Sequence, residues 1–267
     1  MTTIEREAST RLASAILVPE WPVPATVRAF VTTRHFDGLS EPPFERCNLG
    51  LRSGDDREAV IENRRLVEQV LQLPSPPRWL QQVHGTTTVH VDNRSDSEEI
   101  VADAAVTRAS GVVLAILSAD CMPVLLATDD GSAIAIAHAG WRGLSAGVVE
   151  SAVAGMHAKG ERVVAWLGPA IGAASYEVGE EVRAAFVDVD ASAANAFAPT
   201  RPGHFTCDLY ALARQRLAAL GVVRVGGGSF DTFADSRFYS YRRASRTGRF
   251  ATLIYRDDQG PQGSKPL

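Results

Sequence analysis

Lysine and cysteine are both scarce in this sequence. Its two lysines, Lys159 and Lys265, lie outside any glycine-rich phosphate loop, which argues against a P-loop nucleotide-binding protein. The three cysteines, Cys47, Cys121 and Cys207, are too few for a disulfide framework and fit a reducing compartment. No apolar run reaches the roughly 18 residues that a membrane helix needs, and the N-terminus has no signal-peptide pattern. We therefore expect a cytoplasmic protein that does not bind a membrane.

A strong excess of charge is missing as well, since the 267 residues carry a formal net charge of −4. Nucleic-acid-binding proteins are usually basic, so nucleic acid is not an expected partner. The apolar share of 45% and the charged share of 22% are typical of a folded domain. Because the chain shows neither an internal repeat nor a linker, we predict a single domain over residues 1–258 and a flexible tail over residues 259–267.

Short apolar runs alternate with segments of helical periodicity. Runs of strand length occupy residues 27–32, 111–117, 124–127, 133–137, 163–167 and 250–255. Helical spacing extends from the capping pair Asp55 and Glu58 to residue 71, over residues 144–156 and 178–186, and from the N-cap Asp208 to Gly221. The N-terminal half is richer in strands than in helices. This favours an α+β protein with mixed sheets flanked by helices over a doubly wound parallel sheet.

Three potential metal ligands, His84, Cys121 and His138, stand where strand-like runs give way to turns. Two imidazoles and a thiolate form a natural zinc set, and three protein ligands leave the fourth position open for water or substrate. The three residues are far apart in sequence and match no short metal motif, so two alternatives stay open. Cys121 is then either a nucleophile with one of the histidines as its base, or a small buried core residue.

The glycine-rich turn at residues 140–143 contains Arg142 and leads into the helix predicted to begin near Leu144. Free N–H groups at a helix N-terminus and a guanidinium group both attract anions, so this turn is a candidate anion site. The alternative is an ordinary strand–helix turn with a surface arginine. A second basic segment, residues 240–249, is either a clamp for a substrate anion or a solvated loop.

A series of short motifs also runs along most of the chain in a fixed order. They are TTR at 32–34, NLG at 48–50, GDD at 54–56, ENR at 62–64, QVHG at 82–85, ADA at 102–104, ADCMP at 119–123, HAGWRG at 138–143, GPAI at 168–171, YEVG at 176–179, SYRR at 240–243 and TGR at 247–249. In this series the sequence resembles the YfiH-type family, whose members are variously called multicopper polyphenol oxidase, purine nucleoside phosphorylase and peptidoglycan editing factor (PgeF). The resemblance implies a single YfiH-like domain of mixed α+β fold, with a β-sandwich-like core flanked by helices.

The resemblance also implies a metal site of two histidines and one cysteine. Carried over by motif, the ligands and catalytic residues are His84, Cys121 and His138, with Zn²⁺ as the expected cofactor and copper as the alternative. The side chains expected to bind substrate are Asn48, Arg64, Arg142 and Arg243. Two residues close in sequence to the ligands, Asp120 and Gln82, are expected to orient them.

Three activities follow from the resemblance. The first choice is phosphorolysis of the purine nucleosides adenosine, inosine and methylthioadenosine, with adenosine deamination as a side activity that a water-activating metal suits. The alternative is hydrolysis of UDP-MurNAc peptides that carry a wrong L-amino acid. Copper-dependent phenol oxidation (laccase activity) comes third, because a four-copper centre needs more than the six histidines present. A zinc-stabilised scaffold without activity would normally have a fourth protein ligand.

Overall fold

The computed structural model describes residues 14–94 and 99–257. We label the helices α1 (Arg57–Val70), α2 (Trp141–Ala146), α3 (Val148–Gly155), α4 (Glu180–Val187) and α5 (Leu209–Ala219). The strands are β1 (Ile16–Leu17), β2 (Val27–Thr32), β3 (Leu80–Gln81), β4 (Thr88–His90), β5 (Ile100–Val101), β6 (Ala104–Thr107), β7 (Val113–Ser118), β8 (Met122–Thr128), β9 (Ile134–Ala139), β10 (Val163–Leu167), β11 (Glu177–Gly179), β12 (Phe197–Arg201), β13 (His204–Cys207), β14 (Arg224–Gly227) and β15 (Phe250–Arg256). None of the described helices is long and apolar enough to cross a membrane. The predicted tail, residues 259–267, lies outside the described residues.

Two large sheets form the centre of the fold. The four-stranded sheet has the order β1-β2-β15-β7, and the six-stranded sheet has the order β14-β10-β8-β9-β6-β4. The larger sheet is mixed, because β8 pairs antiparallel with β9 and β10, whereas β10 pairs parallel with β14 and β4 pairs parallel with β6. Two smaller sheets have the orders β11-β13-β12 and β3-β5.

The central strands of both large sheets are buried on both faces. Between them lies a cluster that includes Ile116 of the smaller sheet and Leu125 and Ile136 of the larger one. On its other face the larger sheet packs against α3 and α5, while the outer face of the smaller sheet packs against α1. Strands covered on both sides read as continuous apolar runs, which is why they stand out in the sequence. This layering confirms the predicted α+β fold with a sandwich-like core flanked by helices.

Local signals set most element boundaries. Strands β2 and β10 have the predicted bounds, and Asp208 caps α5 by accepting a hydrogen bond from the Ala211 N–H at 2.9 Å. The predicted cap of α1 is wrong by one residue. Asp56 accepts from the Ala59 N–H at 2.9 Å, because the Asp55 carboxylate is engaged elsewhere in the fold.

Two predicted helices also differ from the structure. The helix expected to begin near Leu144 begins at Trp141, and Gly147 divides it into α2 and α3 with a left-handed φ of 103°. Glycine tolerates this conformation, which a side chain would make costly. The helix expected from residue 178 begins only at Glu180, since β11 pairs with the distant strand β13. Long-range pairing of this kind is invisible to local periodicity.

Candidate metal centre

The hairpin of β8 and β9 brings two of the three candidate ligands together. Pro123 pairs with His138 in the antiparallel ladder, so Cys121 lies just beyond the paired end, beside Gly140. A Cβ atom on Gly140 would stand 2.8 Å from Cys121 Sγ, so only glycine leaves room for the sulfur. His138 lies inside β9, one residue before its end, and not in the turn that the sequence predicted.

The third ligand, His84, comes from the turn after β3. Its backbone is left-handed, with φ of 61°, a conformation that costs a non-glycine residue about 1–2 kcal/mol. The buried Asp103 carboxylate stabilises this turn by accepting hydrogen bonds from the N–H groups of Val83, His84 and Gly85 at 3.1, 2.9 and 2.7 Å. The same carboxylate bonds Nδ1 of His138 at 2.9 Å.

The three candidate ligand atoms lie within 4.8 Å of one another. Cys121 Sγ is 3.8 Å from His84 Nε2, close to the roughly 3.6 Å expected between sulfur and nitrogen ligands on a tetrahedral zinc ion. Because Asp103 engages Nδ1 of His138, Nε2 is the ring nitrogen left to bind a metal. The donor set fits a zinc ion with one position open. Within residues 14–94 and 99–257, no other group of three His, Cys or acidic residues is arranged this way.

The site favours a thiolate. Burial alone would raise the pKa of the Cys121 thiol, but the imidazoles of His138 and His84 lower it to about 6. Burial alone would lower the pKa of His138, but the sulfur and the Asp103 carboxylate raise it to about 9. A thiolate is both the form that binds metals and the form that attacks electrophiles, so the electrostatics suit a metal ligand and a nucleophile equally.

These ligands open onto a cavity of about 500 Å³. This volume is within the range of sites that hold small organic molecules. Part of the lining is apolar or aromatic and includes Trp141, Ile171, Tyr176, Leu209 and Tyr241. The cationic part of the lining consists of Arg52, Arg64, Arg142, Arg242 and Arg249.

Two of these arginines, Arg52 and Arg64, belong to a paired wall. Both form ion pairs with Glu99, and each terminal nitrogen of Arg64 lies 3.1 Å from the same carboxylate oxygen. Arg64 is also buried, donates to the Leu49 carbonyl at 2.9 Å and lies over the Trp79 ring at 4.2 Å from the centroid. The Arg64 guanidinium is therefore fixed by a carboxylate, a backbone carbonyl and an aromatic ring of the protein.

The other three arginines, Arg142, Arg242 and Arg249, form an unpaired wall. Arg142 lies over the Trp141 ring at 4.5 Å, and Arg242 over the Tyr176 ring at 5.1 Å. Arg249 donates to backbone carbonyls at 2.8 and 2.9 Å. None of the three forms an ion pair with a carboxylate in the part of the chain that the structure describes. A cavity with three guanidinium groups that form no ion pair attracts anions.

Asn48, expected to bind substrate, is fully buried and does not line the cavity. Its amide nitrogen donates to Ser53 at 2.7 Å and to Asp55 at 2.9 Å. Its oxygen accepts from the Arg249 N–H at 2.8 Å. Asn48 thus ties the loop after β2 to the start of β15, next to one of the cavity arginines.

Arg243, also expected to bind substrate, lies outside the cavity lining as well. Its guanidinium donates to the carbonyls of Thr232 at 3.0 Å, of Phe233 at 2.8 Å and of Phe238. These bonds hold the loop between β14 and β15. Arg64 and Arg142, the other two residues expected to bind substrate, do line the cavity. Arg64 belongs to the paired wall and Arg142 to the unpaired wall.

The two residues expected to orient the ligands fix the cavity walls. Gln82 exchanges two hydrogen bonds with the backbone of Leu117, at 2.8 and 2.9 Å. The Asp120 carboxylate accepts from the Thr232 hydroxyl at 2.6 Å and from the Arg242 N–H at 2.7 Å. Both residues line the cavity beside the ligands, and their orienting role stays a prediction.

Asp103, Arg242 and Arg249 were not singled out individually by the sequence. Asp103 lies in the matched segment 102–104, and the two arginines lie in the basic segment 240–249. An aspartate that directly follows the apolar run at residues 100–102 is the local signal that could have marked Asp103. Its meaning comes only from the two histidines that the fold places around it.

Comparison with known proteins now identifies the family. The family model described as multi-copper polyphenol oxidoreductase laccase matches residues 28–257. A purine nucleoside phosphorylase of Pseudomonas aeruginosa is 51% identical over 247 residues, covering 92% of this chain and 100% of that protein. The purine nucleoside phosphorylase YfiH of Escherichia coli is 44% identical over 243 residues, covering 91% of this chain and 99% of that protein. The chain belongs to this YfiH-type family.

Solved structures of the family have the same fold. A Neisseria meningitidis protein matches with a TM-score of 0.87 and 41% identity, covering 91% of this chain and 99% of that chain. The hypothetical protein YfiH of Bacillus licheniformis matches with a TM-score of 0.80 and 29% identity, covering 86% of this chain and 93% of that chain. These likenesses confirm the predicted family and fold. The names of the curated relatives support an enzyme with small-molecule substrates.

Proposed function

We propose that this protein is a zinc-dependent purine nucleoside phosphorylase of the cytoplasm, with adenosine, inosine and methylthioadenosine as substrates and adenosine deamination as a side activity. One observation carries the proposal: a single cavity combines the His84, Cys121 and His138 ligand set with the unpaired wall of three arginines. Phosphorolysis needs a dianion next to an organic substrate, and this cavity offers a surface for each. Relatives at 51% and 41% identity that carry this name support the same activity.

The unpaired wall is the proposed phosphate site. A guanidinium group presents a planar fork of donors that matches the oxygens of phosphate, and such charge-assisted bonds are among the stronger ones in proteins. Arg142, Arg242 and Arg249 have donors left over after their contacts with rings and backbone carbonyls. Bound phosphate would give these guanidinium groups an ion-pair partner that they lack among the described residues.

The aromatic part of the lining is the proposed purine site. Trp141 and Tyr176 are half-buried and offer flat faces against which a purine ring can stack. Burial raises the pKa of the Tyr176 hydroxyl, so this group stays protonated and can donate a hydrogen bond at neutral pH. The remaining apolar residues, Ile171 and Leu209, exclude water from the same side.

In phosphorolysis a phosphate oxygen bonds to C1′ of the ribose while the bond from C1′ to the base nitrogen breaks, and the base leaves with the electron pair and takes up a proton. The arginines hold the attacking phosphate beside the sugar. Their N–H donors replace the water molecules that phosphate loses when it enters the cavity. The three ligand residues would hold zinc through Nε2 of each histidine and Sγ of Cys121. A bound zinc ion supplies a Lewis acid and can activate water, which deamination requires.

Product analysis by liquid chromatography tests the proposal. Zinc-loaded protein is incubated with adenosine, and separately with inosine and with methylthioadenosine, in the presence and absence of phosphate. Adenine and ribose 1-phosphate that form only with phosphate establish phosphorolysis, and inosine in either arm establishes deamination. No turnover of adenosine, inosine or methylthioadenosine under these conditions would refute the proposed activity.

Two cysteine variants control this experiment. Cys121→Ala removes a ligand, whereas Cys207→Ala removes a buried thiol that does not line the cavity. We expect turnover to disappear in the first variant and to persist in the second. Circular dichroism should show that both variants are folded. Loss of folding in Cys121→Ala together with absent turnover in the unaltered protein would favour a zinc-stabilised scaffold.

Zinc is the proposed metal. Copper is the alternative, because a site of nitrogen and sulfur ligands binds Cu²⁺ more tightly than Zn²⁺ when both are available. Elemental analysis of purified protein, followed by reloading with each metal, separates the two. Nucleoside turnover with zinc supports the proposal. Phenol oxidation with copper and no nucleoside turnover with zinc would favour the oxidase.

A specific observation favours a second candidate, an editing hydrolase for UDP-MurNAc peptides with a wrong L-amino acid. A neighbouring hollow of about 360 Å³ shares Leu51, Arg52 and Glu99 with the cavity and adds Arg57. Together the two hollows offer more room than a nucleoside occupies, and Arg57 adds a cation for a diphosphate. Release of serine from UDP-MurNAc-L-Ser, faster than nucleoside turnover, would favour this candidate.

A further inference from the structure

We propose that Asp103 is a positioning residue that holds both histidine ligands at once, so that the fold forms the metal site before the metal binds. The proposal rests on the proposed zinc site. Asp103 does not line the cavity and is fully buried, so its role is exerted through His84 and His138 and not through substrate.

The Asp103 carboxylate divides its hydrogen bonds between the two ligands. Oδ1 accepts from the His84 N–H at 2.9 Å and lies 2.9 Å from Nδ1 of His138. Oδ2 accepts from the N–H groups of Val83 and Gly85 at 3.1 and 2.7 Å. Four donors thus converge on one carboxylate, which is the full number that its two oxygens can readily accept.

The backbone of Asp103 is fixed from both sides. Its N–H donates to the Thr87 carbonyl at 3.1 Å, and its carbonyl accepts from the His138 N–H at 2.7 Å. Asp103 therefore connects the turn that carries His84 to strand β9, which carries His138. The backbone bonds fix the main chain of Asp103, and the four contacts of its carboxylate oppose rotation of the side chain, so the two ligands are held at a fixed separation.

The contact with His138 also decides which ring nitrogen faces the cavity. The carboxylate accepts a hydrogen bond from Nδ1–H, so Nε2 is the ring nitrogen that gives up its proton and binds the metal. Without this partner the imidazole could adopt either tautomer and rotate. For His84 the carboxylate acts on the backbone instead, by stabilising the left-handed turn that brings its Nε2 to 3.8 Å from Cys121 Sγ.

Asparagine in place of Asp103 cannot satisfy this arrangement in either orientation. If its oxygen takes the Oδ1 position, its NH₂ group faces the N–H groups of Val83 and Gly85. If its oxygen takes the Oδ2 position, its NH₂ group faces His84 and His138. Because donors then oppose donors, the first orientation weakens the turn that carries His84, and the second removes the contacts with both His84 and His138.

Zinc affinity and the spectrum of the Co²⁺-substituted protein test the proposal without relying on catalysis. Asp103→Asn is compared with Asp231→Asn, whose carboxylate also accepts from backbone N–H groups and a serine hydroxyl but contacts no candidate ligand. We expect Asp103→Asn to weaken zinc binding about 10- to 100-fold, measured by competition with a chromophoric chelator. We also expect altered visible Co²⁺ bands, and neither change in Asp231→Asn.

Asp103→Glu keeps the negative charge but moves the carboxylate by one methylene, and it decides the matter if Asp103→Asn does not fold. A positioning role predicts weakened zinc binding in this variant too. Unchanged zinc affinity and an unchanged Co²⁺ spectrum in either folded Asp103 variant would overturn the proposal. Failure of the unaltered protein to bind zinc would instead refute the metal site on which the proposal rests, so the two failures are distinguishable.

Discussion

Two walls of one cavity use the same side chain in opposite ways. On the paired wall, Arg52 and Arg64 share the Glu99 carboxylate, and Arg64 is enclosed by an aromatic ring and a backbone carbonyl. On the unpaired wall, the guanidinium groups of three arginines contact rings and backbone carbonyls and form no ion pair with a carboxylate of the described residues. The arginines of the first wall have a carboxylate partner within the protein, whereas the guanidinium groups of the second form no ion pair within the described residues.

The difference shows how to distinguish a structural arginine from a ligand-binding one in a chain that uses arginine as nearly its only cation. A buried charge must be compensated by the protein itself, so removal of one partner of a buried pair is costly to stability. A charge that faces a cavity without a partner contributes little to stability and is available to an anion. The paired wall should therefore respond to substitution through folding, and the unpaired wall through substrate.

The largest effect is expected for Arg64→Ala on the paired wall. The side chains of Arg64 and Glu99 are only 11% and 14% exposed, so removal of the guanidinium leaves a mostly buried carboxylate with only the exposed Arg52 as its ion-pair partner. We expect the free energy of unfolding to fall by about 3 kcal/mol in urea denaturation. The double variant Arg64→Ala with Glu99→Gln should recover part of the loss. Equal stability of the single and double variants would contradict this interpretation of the wall.

A smaller effect, on activity, is expected for Arg142→Gln on the unpaired wall. Arg142 is exposed, and its removal disrupts no ion pair within the described residues. We expect kcat/KM for phosphate to fall about 10- to 100-fold, since a charge-assisted hydrogen bond contributes about 1.5–3 kcal/mol. The free energy of unfolding should stay close to that of the unaltered protein. A loss of stability as large as that expected for Arg64→Ala, with unchanged phosphate kinetics, would show that Arg142 is a structural arginine.

Arg52→Ala should have a still smaller effect, although Arg52 belongs to the paired wall. Its side chain is 60% exposed, so solvent screens its attraction to Glu99. We expect less than about 1 kcal/mol of lost stability in the same urea experiment. A loss as large as that of Arg64→Ala would show that pairing, and not burial, sets the cost.

The smallest effect is expected from added salt. Ions screen the attraction between the unpaired wall and phosphate, whereas the mostly buried contact between Arg64 and Glu99 is less accessible to them. We expect the KM for phosphate to rise severalfold between low and physiological ionic strength, with an inert chloride salt. The midpoint of urea unfolding should change little over that range. Salt-independent phosphate kinetics would argue against a site built from cavity arginines.

The sequence predicted the elements whose causes are local. The apolar runs at residues 27–32 and 163–167 coincide with β2 and β10, and the cap at Asp208 is confirmed. Elements with distant causes were predicted wrongly. The strand β11 depends on pairing with β13, and the cap of α1 moved to Asp56 because Asp55 accepts hydrogen bonds from Ser40 and Asn48.

For the candidate site, the sequence identified His84, Cys121 and His138 by their residue types and by their places near strand ends. It could not show that they meet. That depends on the register of β8 with β9 and on the turn that Asp103 stabilises. Nor could the sequence show that Arg64 forms an ion pair and Arg142 does not. Only the folded chain places Glu99 beside Arg64.

Residue order alone thus determined the strand-forming runs, the helix caps with local partners, the chemical nature of the candidate ligands and the family motifs. Each of these depends on residues within a few positions of one another, or on a pattern that can be read along the chain. The tertiary structure decided which ligands converge, which arginines form ion pairs and which residues the Asp103 carboxylate contacts. Those properties depend on distances between segments far apart in sequence, and sheet register and burial set such distances only once the chain has folded.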